Sequence, residues 1–546
     1  MPVVTFDYND FLDLLGYQIP KEELIERLPM IGADFDKAEG DSISIEFFPN
    51  RPDLSSVEGL ARASRAFFGF KTGLQTYELH ESDIKIHVDP SVKKVRPFVQ
   101  CALVTDVTMT DELISSLMEL QEKLHFGIGR NRSKVAIGVH NYEPVQPPFT
   151  YKAVDPYSVQ FVPLAKTESM TLEDILTTHE KGVAYAHLLK DVDQYPLIVD
   201  KNDNVLSFPP IINGTLTEVT PFTKDLFIDV TGNSPDAIKY ALNIVTTALA
   251  ERGGKIHTTT VIDSETTQTT PDLAPTEKPL SIAYANTIMG TELTADEIIT
   301  CLEKMGYEAT QTDDEHITTK IPAWRTDILH EIDLIEDVCV GYGYDTITHD
   351  MPKTLTFGKK LPSQDLFDNL QTIMIGLGFN EVTTFTISNE KDEFDRMGKE
   401  KTDHAEIKNP IGEEYSCLRV SLLPSLLKLL AENKHHSLPQ QIFELGIIVD
   451  ETFENKTKLS GIKSSAKANF TESKSIAEAI MREIGKDYEI KEKNHPAFIP
   501  GRCAAIIKED QEMGFFGELH PKTIKAFDLE HPTIAFEIHT DKLISS

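Results

Sequence analysis

The stretch WRTDILHEIDLIEDVCVGYGYD, residues 324–345, sets four carboxylates, Asp327, Asp333, Glu336 and Asp337, among apolar residues just before a glycine-rich stop. On a helical wheel with Asp333 at zero, Glu336 and Asp337 fall at about −60° and +40°. Ile328, Leu334, Ile335, Val338, Cys339 and Tyr342 fall opposite, between about 100° and 240°. Three acids share one face and an apolar stripe the other, while Leu329, Glu331 and Val340 break the pattern. Asp327 precedes the first turn, where a carboxylate caps a helix or meets its dipole favourably. Two readings stand. One is a solvated acidic face, the ordinary fate of charge on an exposed helix. The other is a magnesium site, because Mg2+ takes oxygen ligands, usually one or two carboxylates with retained waters. Ten residues of helix rise about 15 Å, so a straight helix keeps Asp327 and Asp337 out of one first shell, and waters or another chain's carboxylates would complete it. GYGYD, 341–345, reads as a helix C-terminal turn with glycine at positive φ rather than a nucleotide loop.

The whole chain has 546 residues, room for about three or four domains. With 40% hydrophobic and 26% charged residues it can bury ample cores. The opening MPVVTFDYND has neither a basic region nor an apolar core, so no signal peptide is expected. No run of about 18 apolar residues occurs, so no membrane span is expected. Cys101, Cys301, Cys339, Cys417 and Cys503 are scattered without a CxxC pair and read as thiols of a reducing cytoplasm. The formal charge of −34 excludes binding nucleic acid mainly by the overall field, which requires cationic neutralisation of phosphates. Solubility and adaptation to salt are equally consistent with that acidity.

Along the chain, Tyr8–Leu15 and Lys21–Leu28 read as helices and SISIEFF, 42–48, as a strand. In PNRPDLSSVEGLARASRAFFGF, Asn50-Arg51-Pro52 reads as a turn and Asp53 or Ser55 as a helix cap. Strands are expected at SKVAIGVH, VQFVPL, YPLIV, NVLSF and LFIDV. The Thr- and Pro-rich tract 263–280 marks a boundary. Thr294 with Glu297 makes a capping box for a helix ended by Gly306, and EHITTKIPAWR reads as a strand. Beyond it, SQDLFDNLQTIMIGLGF and SLLPSLLKLLAENKHH read as helices, and EVTTFTIS, QIFELGIIVD, CAAIIKED and GFFGEL as strands. Trp324 reads as core and His435-His436 as surface. No internal repeat stands out.

Three motifs resemble the beta subunit of phenylalanine–tRNA ligase (phenylalanyl-tRNA synthetase) in its archaeal and eukaryotic form: FFPNRPDLSSVEGLAR, 47–62; IPAWRTDILHEIDLIEDVCVGYGYD; and RVSLLPSLLKLL with QQIFELG, 419–446. The resemblance runs in family order along essentially the whole chain. It implies a multidomain α+β protein: an N-terminal domain (1–85) and a central tRNA-editing domain (86–270), both mixed α/β; a small winged-helix-like magnesium domain (271–350); and a noncatalytic class II synthetase-like core with an antiparallel sheet (351–546). It also implies an aminoacyl-tRNA ligase of protein biosynthesis, cytoplasmic, in which ATP activates phenylalanine for transfer to its tRNA. The aminoacylation site would lie on an alpha subunit, in a tetramer of two alphas and two betas. By this register Asp327, Asp333, Glu336 and Asp337 bind Mg2+ shared with alpha.

The residues agree with that division of labour. Neither GxxxxGK[ST] nor GxGxxG occurs, and the C-terminal region offers Arg419 and FELG, 443–446, but no GxGxxR to clamp ATP. Arg502 in IPGRCAAI is the nearest candidate, in a strand-like context. The family's central beta domain hydrolyses tyrosine mischarged onto the phenylalanine tRNA. An aromatic pocket rejects an added hydroxyl poorly, so a second site that bonds it restores discrimination. Ser207 and Asn213 on a turn, with Asp229 and Thr231 alternating along a strand and so facing one way, are the candidate pocket residues. Local hydrogen bonding is the plainer role for each. Lys123, His125, Arg130, Arg132 and Lys134 make the densest basic run, suited to tRNA backbone contact or to a solvated loop. Two rival functions are a noncatalytic nucleic-acid-binding scaffold, disfavoured by the acidic helix face, and a self-sufficient ligase, disfavoured by the missing arginine.

Overall fold

The computed structural model describes residues 3–349, 351 and 356–544. The chain divides into two compact units, Met1–Met351 and Pro352–Ser546. The boundary expected at 350–351 falls on Asp350, which lies outside the described residues. No helix among the described residues is long and apolar enough to cross a membrane.

Three larger sheets, with a two-stranded one of Gln160–Phe161 and Met170–Thr171, make up the described part of the first unit. Val3–Asp7, Ser42–Phe47 and Ala33–Glu39 form an antiparallel sheet with Ser42–Phe47 central. Helices Tyr8–Leu15 and Val57–Phe67 bury Phe11, Leu15, Leu60 and Ala61 in its core. Ser56, not Asp53 or Ser55, caps the second of these, its Oγ accepting from Gly59 N. Asp53 is unavailable because it holds the buried Arg51 through two 2.9 Å bonds.

An eleven-stranded sheet follows. Its strand Leu226–Gly232 is buried at every residue and lies antiparallel between Phe98–Thr105 and Val135–Asn141. Helix Pro235–Glu251 covers this region with Ile238, Ala241, Leu242, Val245 and Leu249, beside Leu113, Leu117, Leu120 and Leu124 of helix Asp111–Phe126. Each of the Ile, Leu and Val side chains among these contributes about 1.5–3 kcal/mol on burial. Of the expected strand VQFVPL only Gln160–Phe161 forms a strand; Pro163 makes an isolated bridge to Gly214 before Lys166 N closes a turn onto Pro163 O. The tract 263–280 contains two strands, Thr267–Thr270 in the large sheet and Thr276–Ser281 in a third one.

That third sheet orders Thr276–Ser281, His316–Ile321 and Glu308–Gln311. Helix Ala295–Lys304 carries the Thr294/Glu297 capping box and is followed by Gly306 at φ 82°. Helix Glu331–Tyr342 buries Leu334, Ile335 and Val338 against Ile298 and Leu302. Gly343, at φ 101°, ends it by donating to Cys339 O, as a glycine C-terminal turn should. Trp324 is buried in the core of the large sheet, edge-on to Tyr77 at 5.5 Å and under the Arg62 guanidinium at 4.2 Å.

The second unit is a seven-stranded sheet in the order Asn380–Glu381, Gln440–Val449, Asn455–Ser464, Thr533–His539, Gln511–Leu519, Phe498–Lys508 and Glu489–Glu492. Only its first strand pairs in parallel. Helices Pro362–Gly376 and Phe470–Glu483 build a core with Leu459, Phe536 and Ile538. Helix Leu423–Glu432 builds a separate core with Ile462 and Ala535, which the alternation along each strand places on the other face. EVTTFTIS does not form one strand. It yields the ends Asn380–Glu381 and Ile387–Ser388, because Thr384 and Phe385 in between turn to accept from Arg419.

Candidate functional site

Asp229 and Thr231 do point one way, and Ser207 and Asn213 join them on the wall of one cavity of about 610 Å³. Its sides come from strands Val135–Asn141 and Leu226–Gly232, helix Asp111–Phe126 and the turn after Phe208. Asp229 faces Gly138 across the strand pair. A Cβ on Gly138 would stand 2.2 Å from Asp229 Oδ2 and 2.7 Å from His140 Nε2, so the missing side chain is what lets those two groups meet. They do so at 2.7 Å, and His140 Nδ1 lies 2.8 Å from Thr217 Oγ1. Among the described residues, the hydrogen bonds to the Asp229 carboxylate fall on Oδ2, from His140 and, at 3.5 Å, from Ser207. Asn213 donates to Val139 O at 3.3 Å. Thr231 Oγ1 accepts from Arg96 Nε at 2.9 Å and so keeps its own proton to donate. Burial lowers the Arg96 pKa to about 10, against the opposing charges of Tyr151 and Asp229. The cavity therefore offers a buried carboxylate, held by an imidazole, beside a hydroxyl donor.

His140, Gly138 and Arg96 escaped the sequence reading. Gly138 and His140 alternate in SKVAIGVH, which puts both on one face, but nothing local says that Asp229 lies opposite.

The basic run does not form a patch. Arg132 is buried, donating to Ile211 O at 2.9 Å and Glu122 Oε1 at 2.7 Å and lying over the Tyr185 ring at 4.5 Å. It lines the cavity and is not free for a phosphate, which corrects its expected role. Arg130, Asn131 and Arg132 all take left-handed φ, at 47°, 53° and 66°, a costly conformation for side-chain-bearing residues that turns Arg132 inward. His125 is buried too, its Nε2 accepting from Ile137 N at 2.8 Å. Lys123 pairs with Glu119 at 2.9 Å. Lys134 is half-buried, and Arg130 remains exposed.

The four acids of 324–345 depart from the straight-helix expectation. The helix begins only at Glu331, and the irregular segment before it folds Asp327 back. Arg325 Nη2 donates to both Asp327 Oδ2 at 2.7 Å and Asp337 Oδ2 at 2.6 Å, with Nε on Asp327 Oδ1 at 2.8 Å. Asp327 and Asp337 are thus neighbours, and Asp337 is buried rather than solvated. Burial and the Asp337 charge push the Tyr307 phenol up, so it stays a donor to Asp337. Asp333 Oδ2 accepts from Leu329 N and His330 N at 2.7 Å each, satisfying the helix start. Glu336 is exposed, and its carboxyl is raised by partial burial and then by the charges of Asp337, Asp333 and Asp327. Among the described residues no three of the four bring oxygens within 4.8 Å of one another. All four offer the oxygen donors that suit a hard cation. Arg325 offsets one of the two charges of the inner pair and engages both of its carboxylates, so Glu336 and Asp333 are the carboxylates without a cationic partner among the described residues, open to an ion that keeps its waters.

In the second unit Arg419 is buried, donating to Glu444 Oε1 at 2.8 Å, Thr384 Oγ1 at 2.7 Å and Ile447 O at 2.8 Å. Gly446 of FELG makes room for that pair, since a Cβ there would meet Arg419 Nη2 at 2.6 Å. Arg502 pairs with Glu518 at 2.8 Å on the surface.

Comparison with known proteins shows what the chain is similar to. Residues 279–344 match the family model described as tRNA synthetase B5 domain, and 347–540 the one described as phenylalanyl tRNA synthetase beta chain CLM domain. The phenylalanine–tRNA ligase beta subunit of Methanosarcina acetivorans is 47% identical over 100% of this chain and 99% of its own. That of Methanothrix thermoacetophila is 46% identical over 98% and 99%. An N-terminal fragment of the phenylalanyl-tRNA synthetase beta subunit from Pyrococcus horikoshii, solved by crystallography, superposes with TM-score 0.61 at 39% identity over 63% of this chain and 100% of that one. With near-half identity to named beta subunits over its whole length, the chain belongs to the phenylalanine–tRNA ligase beta-subunit family.

Proposed function

We propose that this chain is the supporting and proofreading partner of an alpha subunit that carries out ATP-dependent attachment of phenylalanine to its tRNA, in a cytoplasmic tetramer of two alphas and two betas. The observation that carries the proofreading half is the convergence of Ser207, Asn213, Asp229 and Thr231 on one cavity of about 610 Å³. A tyrosyl side chain entering it presents a phenolic hydroxyl that Asp229 accepts and Thr231 meets. Phenylalanine leaves the buried carboxylate without that partner, and an unmade bond to a buried charge is what discriminates. The ester of a mischarged tRNA then lies where a water can attack. His140 is a positioning residue that fixes the Asp229 carboxylate.

Glu336 and Asp333 would hold Mg2+ through waters, with Asp327 and Asp337 behind them, and the ion would supply charge at the junction with alpha. The second unit is read as a noncatalytic class II synthetase-like core, supported by Arg419 being consumed internally. Phe357, Phe385 and Ile411, exposed at 95%, 76% and 103%, support its use as a docking face for alpha. The domains are taken as 1–85, 86–270, 271–350 (winged-helix-like) and 351–546. Arg130, with Lys123 and Lys134 after local rearrangement, is left for tRNA backbone contact.

The test is deacylation of tyrosyl-tRNA by the complex. Asp229→Ala should slow it at least tenfold while phenylalanine charging persists, and an unchanged rate removes the assignment. The lone chain should show no phenylalanine-dependent ATP–pyrophosphate exchange.

A further inference from the structure

In the second unit a chain reversal brings Glu390, His404 and Glu406 together, their ligand atoms all within 4.8 Å of one another. His404 is the informative member. Its ring is buried against Phe394 at 5.1 Å, and its Nδ1 lies 2.8 Å from Thr402 O. A carbonyl only accepts, so Nδ1 carries a proton, and Nε2 is the ring nitrogen turned toward the two glutamates. Among the described residues that buried nitrogen has no partner at hydrogen-bonding geometry. What it faces is Glu390 Oε1 at 3.4 Å and Glu406 Oε1 at 3.9 Å, both beyond the 2.7–2.9 Å or so of a charge-assisted bond. An unbonded ring nitrogen and two carboxylates converging within 4.8 Å make a set of donors suited to a cation between them. An imidazole whose other nitrogen is anchored on a backbone carbonyl is the usual arrangement of a metal-ligating histidine.

We propose that Glu390, His404 and Glu406 form a binding site for a divalent transition metal, with zinc as the favoured ion. Tetrahedral zinc, with bonds of about 2.0–2.2 Å to nitrogen and oxygen, sets its ligands about 3.3–3.6 Å apart, close to the spacings His404 makes with both glutamates. The nitrogen donor favours zinc over magnesium, calcium and manganese, which suit all-oxygen sites. Three protein ligands leave a fourth position for water or for a group from another chain. Lys401 currently balances the carboxylates, 2.8 Å from Glu390 Oε1 and 3.5 Å from Glu406 Oε1. Its half-exposed, flexible stem lets it swing into solvent when the metal enters. Lys401 is therefore a built-in competitor, and the site fills only when metal displaces it. None of these residues belongs to the proofreading cavity or to the acids of 324–345, so this site stands independently of the function proposed above.

The test titrates the chelator-stripped full chain with Zn2+, Mn2+ and Mg2+ in separate calorimetric runs, with elemental analysis after gel filtration. Zinc should bind at a site weakened in Glu406→Gln and in His404→Gln by at least the roughly tenfold to hundredfold that losing a mere hydrogen-bond partner of a ligand costs, and strengthened in Lys401→Ala. Mg2+ binding should be the same in all four proteins. Glu406 is exposed, so its variant keeps the test readable should His404→Gln misfold. Zinc affinity unchanged in both Glu406→Gln and Lys401→Ala overturns the proposal, as does a site that those substitutions alter for Mg2+ but not for Zn2+.

Discussion

Gly138→Ala adds one methyl group at the point where Asp229 and His140 touch. The new Cβ would lie 2.2 Å from Asp229 Oδ2 and 2.7 Å from His140 Nε2, so one of the two must leave. Gly138 has no positive φ, hence alanine brings no backbone strain and even stabilises by about 0.4–1 kcal/mol through the unfolded chain. Against this stand overpacking, about 1–3 kcal/mol, and loss of a buried hydrogen bond to a charged group, about 1.5–3 kcal/mol. A net local loss of about 1.5–5.5 kcal/mol follows. Amide exchange across Val135–Asn141 reads it, because local opening reports on the strand without requiring the whole chain to unfold in one step. The same substitution swings Asp229 away from the tyrosyl hydroxyl, and losing one bond of that strength slows deacylation roughly 10–150-fold. Charging should persist. If exchange in that strand and tyrosyl-tRNA deacylation both stay at wild-type values, the Asp229–His140 contact is not what organises the cavity.

Two further outcomes follow from buried charge. Arg325→Met strands Asp327 and Asp337 beside each other with their shared cation gone, and the loss for breaking a buried pair is about 3–5 kcal/mol; slower exchange, or none faster, around Glu331–Tyr342 would contradict it. In the second unit burial lifts the Glu393 carboxyl to about 7, against the donors Val420 N and Ser421 N. A raised carboxyl gives stability that is complete below its unfolded pKa, near 4.5, and is lost as pH rises to about 7. His495, pushed down to about 4 by burial, acts in the opposite direction over the same range. The difference between wild type and Glu393→Gln isolates the Glu393 part. The variant should gain relative stability between pH 4.5 and 7, up to about 3 kcal/mol, in thermal melts, and a pH-independent difference would refute the assignment.

The sequence by itself determined whatever depends on local period and local caps. Alternation in LFIDVTG put Asp229 and Thr231 on one face, the Thr294/Glu297 box started its helix, and Gly343 stopped the next. Three motifs in family order, the one around 324–345 among them, marked the family. Tertiary structure alone decided which groups meet across long gaps. His140 reaches Asp229 only because strand register lays two distant segments side by side, and a glycine between them matters only in that pairing. Arg132 looked like a phosphate ligand until three left-handed residues turned it into the wall. The acids at 327 and 337 looked a helix-length apart until a break before Glu331 brought both to one guanidinium. In each case the deciding energy is burial of a charge against a partner remote in sequence, and composition and periodicity carry no record of which partner that will be.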